Sequence, residues 1–174
     1  MLIYLISGKA RTGKDTVASI IKKNCVQKNL KHINLQFSFY IKQYALKITD
    51  WDGSEETKPR EFLQTLGTEI IRQQIDSDFF IKRVDEDIKV YSKFFDIITI
   101  SDVRLIDEIE YFRKNYDSMI SIHIKRDLEK TKENSVHQTE IELDNYNKFD
   151  YVIDNNGSLK ELEDKVNEIL KRIW

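Results

Sequence analysis

Cysteine, proline and glycine are scarce in this chain: one, one and five among 174 residues. A single cysteine, Cys25, cannot close an internal disulfide, so a reducing, cytoplasmic interior is the expected setting. Cys25 falls in a predicted helix with no catalytic partner nearby and reads as a packed thiol. Long apolar runs are missing too, and none approaches the ~20 residues needed to cross a bilayer. The first ten residues, MLIYLISGKA, have no basic leader and run straight into glycine. They read as a buried strand and not as a signal peptide. No sign of charge dominates: Lys and Arg number 28, Asp and Glu 30, a net charge of −2. No global basic field therefore recruits a nucleic acid polymer, and any anionic ligand must be held by a local cluster of cations. No Cys or His at ligand spacing accompanies His137, which argues against zinc. No Ser-His-Asp or Cys-His set has a structural context, and there is no internal repeat or low-complexity tract.

What is present fits one soluble domain spanning residues 1–174. The hydrophobic share is 40% and the charged share 33%, and the length allows one buried core. Leu2 to Ser7 is a continuous apolar run ending in Gly8, as expected of a central parallel strand. Val17, Ile20, Ile21 and Cys25 recur at helical spacing over Asp15–Gln27. His32 to Phe37 alternates like a second strand, and Phe39 to Ile48 reads as helix. The polar stretch Asp50–Lys58 is a loop, and the lone proline, Pro59, suits the first turn of the next helix. Phe62, Leu63, Leu66, Ile70 and Ile71 predict one helical face, and a further helix is expected over Phe79–Tyr91. Phe95 to Ile100 and Met119 to Ile124 are buried-strand runs with a short helix, Ile106–Phe112, between them. Lys125 to Asn147 is polar and reads as a mobile segment. Tyr151 to Ile153 is a last strand, and Ser158 with Glu161 forms a capping box for a final helix. Strand–helix alternation of this kind predicts an α/β fold, a parallel sheet with helices on both faces.

The strongest chemical signal is Gly8-Lys9-Ala10-Arg11-Thr12-Gly13-Lys14-Asp15-Thr16. It matches G-x-x-x-x-G-K and lies between a predicted strand and a predicted helix, the context such a phosphate-cradling loop requires. Glycines at both ends let backbone N–H groups turn inward and, with the helix N-terminus, form a positive cup for phosphate oxygens. Lys14 is expected at the β and γ phosphates, where its charge counts most during transfer. The position that usually carries Ser or Thr holds Asp15, a good ligand for a hard cation directly or through water, and Thr16 is left to contact phosphate. Lys9 and Arg11 add two cations for a site handling more than one phosphate; a pair of solvated surface charges is the alternative.

Ligands of open α/β sheets gather at the C-terminal strand ends. Asp102 is expected to leave the sheet at such an end, as a second acidic group for Mg²⁺ or its water shell. Arg104, two residues on, is placed to grip an acceptor phosphate through forked guanidinium contacts; an ordinary surface Asp–Arg pair is the alternative. Arg60 and Gln64 share a helical face and, with Arg72, are candidates for an acceptor pocket or for a solvated face. Phe79 and Phe80 read as core or as a stacking platform. Lys125 and Arg126 open the mobile stretch, where a closing segment would bring cations over the transferring phosphate.

In order, from Leu2 to about Leu170, the blocks GKARTGKDT, REFLQTLGTEIIRQQIDSDFF, IITISDVRLIDEIEYF, HQTEIELDN and FDYVIDNNGSLKEL resemble the phage-type deoxynucleoside monophosphate kinases. They are also similar to animal-type phosphomevalonate kinases, which share the Gly-Lys-x-x-x-Gly-Lys-Asp loop. The resemblance implies a three-layer P-loop kinase fold, with a parallel sheet of about five strands and a mobile lid over residues 125–147. It implies ATP with Mg²⁺ and a small phosphorylated acceptor, foremost a (deoxy)nucleoside monophosphate converted to the diphosphate. It implies phosphate contacts from Lys9, Arg11, Gly13, Lys14 and Thr16, Asp15 and Asp102 near Mg²⁺, Arg104 at the acceptor and Arg126 in the lid. Phosphorylation of phosphomevalonate or a similar small molecule stays open, as does a nucleotide-binding regulator without transfer. No membrane or nucleic acid polymer is expected as partner, and the chain is expected as a monomer or homodimer.

Overall fold

The apolar run Leu2–Ser7 is β1, and every residue of it after Leu2 is buried. Four further strands, β2 (His32–Leu35), β3 (Ile97–Val103), β4 (Met119–Lys125) and β5 (Tyr151–Asp154), join it in the order β2-β3-β1-β4-β5, all pairs parallel. A parallel sheet is covered on both faces, which is why its central strands read as unbroken Ile-rich runs. The computed structural model describes residues 1–127 and 142–174. They divide into two compact units, one of Met1–Leu35 with Tyr91–Trp174 and the other of Gln36–Val90.

In the first unit, α1 (Lys14–Gln27) and α6 (Leu159–Ile173) pack together with Tyr4, Ile6, Ile122 and Ile124 in one apolar cluster. Cys25 belongs to this cluster and is fully buried, as expected of a packed thiol, and burial pushes its pKa up to about 11. Successive strand residues face opposite ways, so Leu5 and its register partner Ser121 look away from that cluster. On their side lies α5 (Ile106–Asn115), whose Arg113 donates to Ser121 Oγ at 3.0 Å. The sheet is thus sandwiched, α1 and α6 on one face and α5 on the other. Burying each of these Ile side chains contributes about 1.5–3 kcal/mol, which fixes β1 and the loop that leaves it. Ser158 caps α6 as the sequence indicates: its Oγ accepts the Glu161 N–H, and the Glu161 carboxylate accepts from Ser158.

The second unit contains α2 (Ser38–Ile48), α3 (Arg60–Thr65) and α4 (Phe79–Tyr91), all of it except the last residue. Pro59 is the N-cap of α3, and α3 winds on as a π-helix over Leu66–Ile75. The wider winding, with i→i+5 hydrogen bonds, changes the expected apolar face. Leu66 and Ile71 are buried, whereas Ile70 is 37% exposed.

Several strand ends differ from expectation: β3 begins at Ile97 and not at Phe95, and β4 and β5 each run one residue further. β2 stops at Leu35, short of Phe37. β3 runs on through Ser101, Asp102 and Val103, because β1 keeps pairing with it: Leu5 is in register with Ile100 and Ser7 with Val103. Three steps on β3 against two on β1 make a bulge, a device that re-aims side chains at functional edges. Asp102 therefore does not follow the strand but lies within its bulged last turn.

A candidate phosphate-binding site

The loop from Gly8 to Gly13 joins β1 to α1 at the C-terminal edge of the sheet. Gly8 has φ 144° and Gly13 φ 103°. A Cβ on Gly8 would lie 2.5 Å from the Ile124 carbonyl oxygen, and one on Gly13 would lie 2.7 Å from Asn155 Nδ2. Only glycine satisfies both the backbone angle and the space. Arg11 takes φ 63° with a side chain in place, a strained state of the kind found in ligand loops. The Lys9 carbonyl organises the turn: it accepts from Thr12 N at 3.4 Å, Thr12 Oγ1 at 2.9 Å and Lys14 Nζ at 2.7 Å. Thr12 is 2% exposed, so its hydroxyl serves the loop's shape. The first N–H groups of a helix have no intrahelical carbonyl. Here α1 begins at Lys14 and its N-cap, Gly13, offers no side chain to them. This end of the helix suits an anion through both its donors and its dipole.

The loop's root is held by residues distant in sequence. Ser7, the last residue of β1, shares a 2.9 Å hydrogen bond between Oγ and His123 Nδ1 on β4. The His123 ring stacks on Phe149, centroids 4.5 Å apart and planes at 17°. Burial, then the ammonium groups of Lys125, Lys14 and Lys9, hold its pKa down to about 4, against an opposing pull from Asp144. The ring is therefore neutral around pH 7. Asn155, buried just past β5, donates Nδ2 to the Thr12 carbonyl at 2.8 Å, while its own N–H donates to the Lys125 carbonyl. Lys9 is exposed and paired with Asp144 at 2.7 Å.

Across β1, Asp102 is half-buried and Arg104 exposed. Glu108 is 1% exposed, and its carboxylate accepts the backbone N–H groups of Arg104 at 2.8 Å and Leu105 at 3.1 Å. A buried carboxylate thus fixes the peptide carrying Arg104 as it turns into α5.

Lys9, Arg11, Lys14, Asp15, Thr16, Asp102 and Arg104 all belong to the first unit, at the C-terminal ends of β1 and β3. Arg126 follows β4 in the same unit and is exposed. Arg60, Gln64 and Arg72 belong to the second. Arg60 and Gln64 are exposed on α3, and Arg60 pairs with Glu55 at 2.5 Å. The Arg72 guanidinium lies 5.2 Å from the centre of the Phe80 ring. Phe80 is fully buried core; Phe79 is half-buried, with Tyr44 and Arg83 beside its ring. Lys130, Lys132, His137, Thr139 and Glu140 of the expected closing segment lie outside the described residues. The expected 125–147 segment is ordered at both ends: Lys125 is the last residue of β4, and Glu142–Asn145 form a one-turn 3₁₀ helix whose Leu143 is buried.

Sequence reasoning missed Ser7, His123, Glu108, Asp144 and Asn155 as site residues. Asn155 was legible in part, since a polar Asp-Asn-Asn-Gly follows an apolar strand run at a sheet edge where ligands gather. For His123 no local signal existed: it sits in an Ile-rich strand, and only pairing with β1 brings it to Ser7.

Comparison with known proteins follows the same lines. The sequence model of deoxynucleotide monophosphate kinases matches residues 27–166. Among solved structures, the APS kinase of Mycobacterium tuberculosis, in complex with AMPPNP and APS, superposes with a TM-score of 0.57. Its identity is 11%, and the match covers 98% of this chain and 97% of that one. The shikimate kinase of Aquifex aeolicus gives 0.55 at 16% identity, covering 98% and 96%. A sugar kinase from Janibacter gives 0.59 at 12%, covering 98% and 95%. At these identities the likeness is one of fold, a three-layer P-loop kinase architecture.

Proposed function

Because this chain belongs to the deoxynucleotide monophosphate kinase family and is a phosphotransferase of P-loop kinase fold, we propose that it moves the γ-phosphoryl group of ATP onto a (deoxy)nucleoside monophosphate. The observation that carries this reading is the Gly8–Gly13 loop, curled on the Lys9 carbonyl at the mouth of α1. In the proposed reaction an oxygen of the acceptor's phosphate attacks the γ-phosphorus in line. The bond to the β,γ-bridging oxygen breaks, and ADP and the nucleoside diphosphate leave. An acceptor phosphate oxygen is already a competent nucleophile, so no strong general base is required. Positioning and charge neutralisation supply the rate.

Each proposed role follows from chemistry and place. The loop N–H groups, with Gly8, Ala10, Thr12 and Gly13 as backbone, take phosphate oxygens of the donor. Lys14 exchanges the Lys9 carbonyl for the β and γ phosphates, and Arg11, Lys9 and Thr16 add donors around them. Arg104, on a peptide that Glu108 fixes, grips the acceptor phosphate, and Arg126, just past β4, adds positive charge. Arg60, Gln64 and Arg72 are proposed for acceptor binding as a set belonging to the second unit taken by itself. Asp15 and Asp102 fit a hard cation such as Mg²⁺, which needs only one or two carboxylates besides phosphate oxygens and water. Among the described residues no group of three His, Cys, Asp or Glu side chains forms a protein cage of its own. Bound there, Mg²⁺ would shield the phosphate charge. A small-molecule acceptor in the cytoplasm fits these groups; among the described residues no helix is long and apolar enough to cross a membrane.

The test is an ADP-release assay with Mg-ATP over deoxynucleoside and ribonucleoside monophosphates, with phosphomevalonate and other non-nucleotide phosphates as the contrasting set. Turnover with a strong base preference is expected. Turnover confined to the non-nucleotide set removes the acceptor assignment, and nucleotide binding with no transfer to any acceptor removes the catalytic one.

A further inference from the structure

Lys9 is a residue of the phosphate loop itself, yet its ammonium is occupied. Asp144 Oδ2 accepts from Lys9 Nζ at 2.7 Å, across 135 residues of sequence. Both side chains are partly open to water, 47% and 41% exposed. A pair of that kind contributes little to stability and is easily exchanged for another anion.

Asp144 is not a loose surface carboxylate. It stands on the Glu142–Asn145 turn of 3₁₀ helix, which three contacts hold to the unit. Leu143 is buried at 6% exposure. Glu142 Oε1 accepts the N–H of Ile106, the first residue of α5, at 2.8 Å. Tyr146 N–H returns to the Leu143 carbonyl at 3.2 Å, and the Tyr146 hydroxyl donates to Glu110 on α5 at 2.7 Å. One short turn thus touches both the phosphate loop and the start of the helix that follows Arg104.

We propose that Asp144 is a built-in competitor for the phosphate loop: it holds the Lys9 ammonium while the loop is empty and yields it to the incoming polyphosphate, so that donor binding is reported at the foot of α5. This rests on the reading of residues 8–16 as the donor site. An arriving triphosphate brings several negative oxygens to a lysine that the carboxylate neutralises singly, so the lysine transfers. Asp144 then faces the phosphates without its partner, and the turn that carries it loosens. The device lowers affinity for the donor slightly and couples loop occupancy to the segment beside Arg104.

The experiment is a double-mutant cycle on the full chain. Binding of ATP and of inorganic tripolyphosphate is measured by calorimetry for wild type, Asp144→Asn, Lys9→Met and the double variant. Lys14→Ala serves as the control on the donor site. If Lys14→Ala leaves binding intact, the donor-site reading fails and this proposal fails with it. With that control satisfied, Asp144→Asn is expected to tighten both ligands about two- to fivefold, the range that a half-exposed ion pair can carry. In the Lys9→Met background the same change is expected to have no effect, because its action runs through the lysine. Weaker binding by Asp144→Asn overturns the proposal, since Asp144 would then be positioning Lys9 for the ligand. An equal gain with and without Lys9 overturns it as well, since that is a general field effect. As a second readout, hydrogen exchange at Leu143–Tyr146 is expected to quicken when ATP binds wild type and to be already fast in ligand-free Asp144→Asn. Slower exchange on ATP binding overturns the release of the turn.

Discussion

Asn155 and Thr12 are 143 residues apart, yet the side-chain amide of one donates to the backbone carbonyl of the other at 2.8 Å, both residues buried. The same amide nitrogen would lie 2.7 Å from a Cβ placed on Gly13. The last strand edge thus props the last turn of the phosphate loop. Leaving a buried carbonyl without its donor costs about 1–3 kcal/mol. Asn155→Ala is expected to lower the unfolding free energy by that amount in urea titration. Because the loop geometry loosens, KM for ATP is expected to rise at least tenfold, with KM for the acceptor nearly unchanged. Equal effects on both substrates would show that Asn155 serves the core and not the loop.

Lys14 rests its ammonium on the Lys9 carbonyl at 2.7 Å, within the loop it is proposed to serve. Lys14→Ala is expected to fold with an unchanged melting temperature and to lose transfer by roughly a hundredfold or more, as loss of a transition-state charge contact implies. Turnover within a few-fold of wild type would remove Lys14 from its assigned role.

Arg104 and Glu108 separate binding from positioning. Arg104→Ala removes an exposed guanidinium, so stability is expected to hold within about 0.5 kcal/mol, while acceptor KM rises steeply and KM for ATP stays near wild type. Glu108→Gln keeps the shape but weakens the acceptor of two backbone N–H groups. It is expected to cost about 1–2 kcal/mol of stability and to raise acceptor KM by a smaller factor. A selective effect of Arg104→Ala on ATP would place it on the donor side.

Two imidazoles set the acid limit of stability. His32, bonded to Thr99 Oγ1 at 3.0 Å, is held down to about 4 by burial and by Lys22; His123 is held to about 4 by burial and the lysines around it. In the unfolded chain both take up a proton near pH 6.5. Above that value neither state is protonated and these rings give stability no pH dependence. Between pH 6.5 and about 4 the unfolded chain binds protons that the folded one refuses, so stability falls as pH falls. The loss is about 1–3 kcal/mol for each ring. Urea midpoints from pH 8 to 4 are expected to be flat and then to decline below 6.5, and His32→Gln and His123→Gln each to shallow the decline. A midpoint constant from pH 7 to 5 would contradict it.

Much of the fold is written in local pattern. The Ile-rich run of β1, the helical spacing of α1 and the capping box of α6 each follow from interactions within a few residues, and the structure places them where the spacing does. Where packing overrides local preference, the structure departs from the local pattern. β3 continues three residues beyond its apolar run because Ser7 pairs with Val103. The π-helical winding of Leu66–Ile75 exposes Ile70, which a regular helix would bury.

For this protein the sequence alone marked the Gly8–Gly13 turn between β1 and α1, since glycine spacing after an apolar run and before a helix is a local pattern. It also determined the parallel sheet, through the continuity of its apolar runs. Only the tertiary structure decided what holds that loop: His123 under Ser7, Asn155 under Thr12 and Asp144 on Lys9. Those partners come from three separate stretches of chain, and their meeting depends on strand order, on register and on one turn of helix. Polar side chains that satisfy one another across a fold leave no periodic trace in the sequence, because each is fixed by where its partner lands.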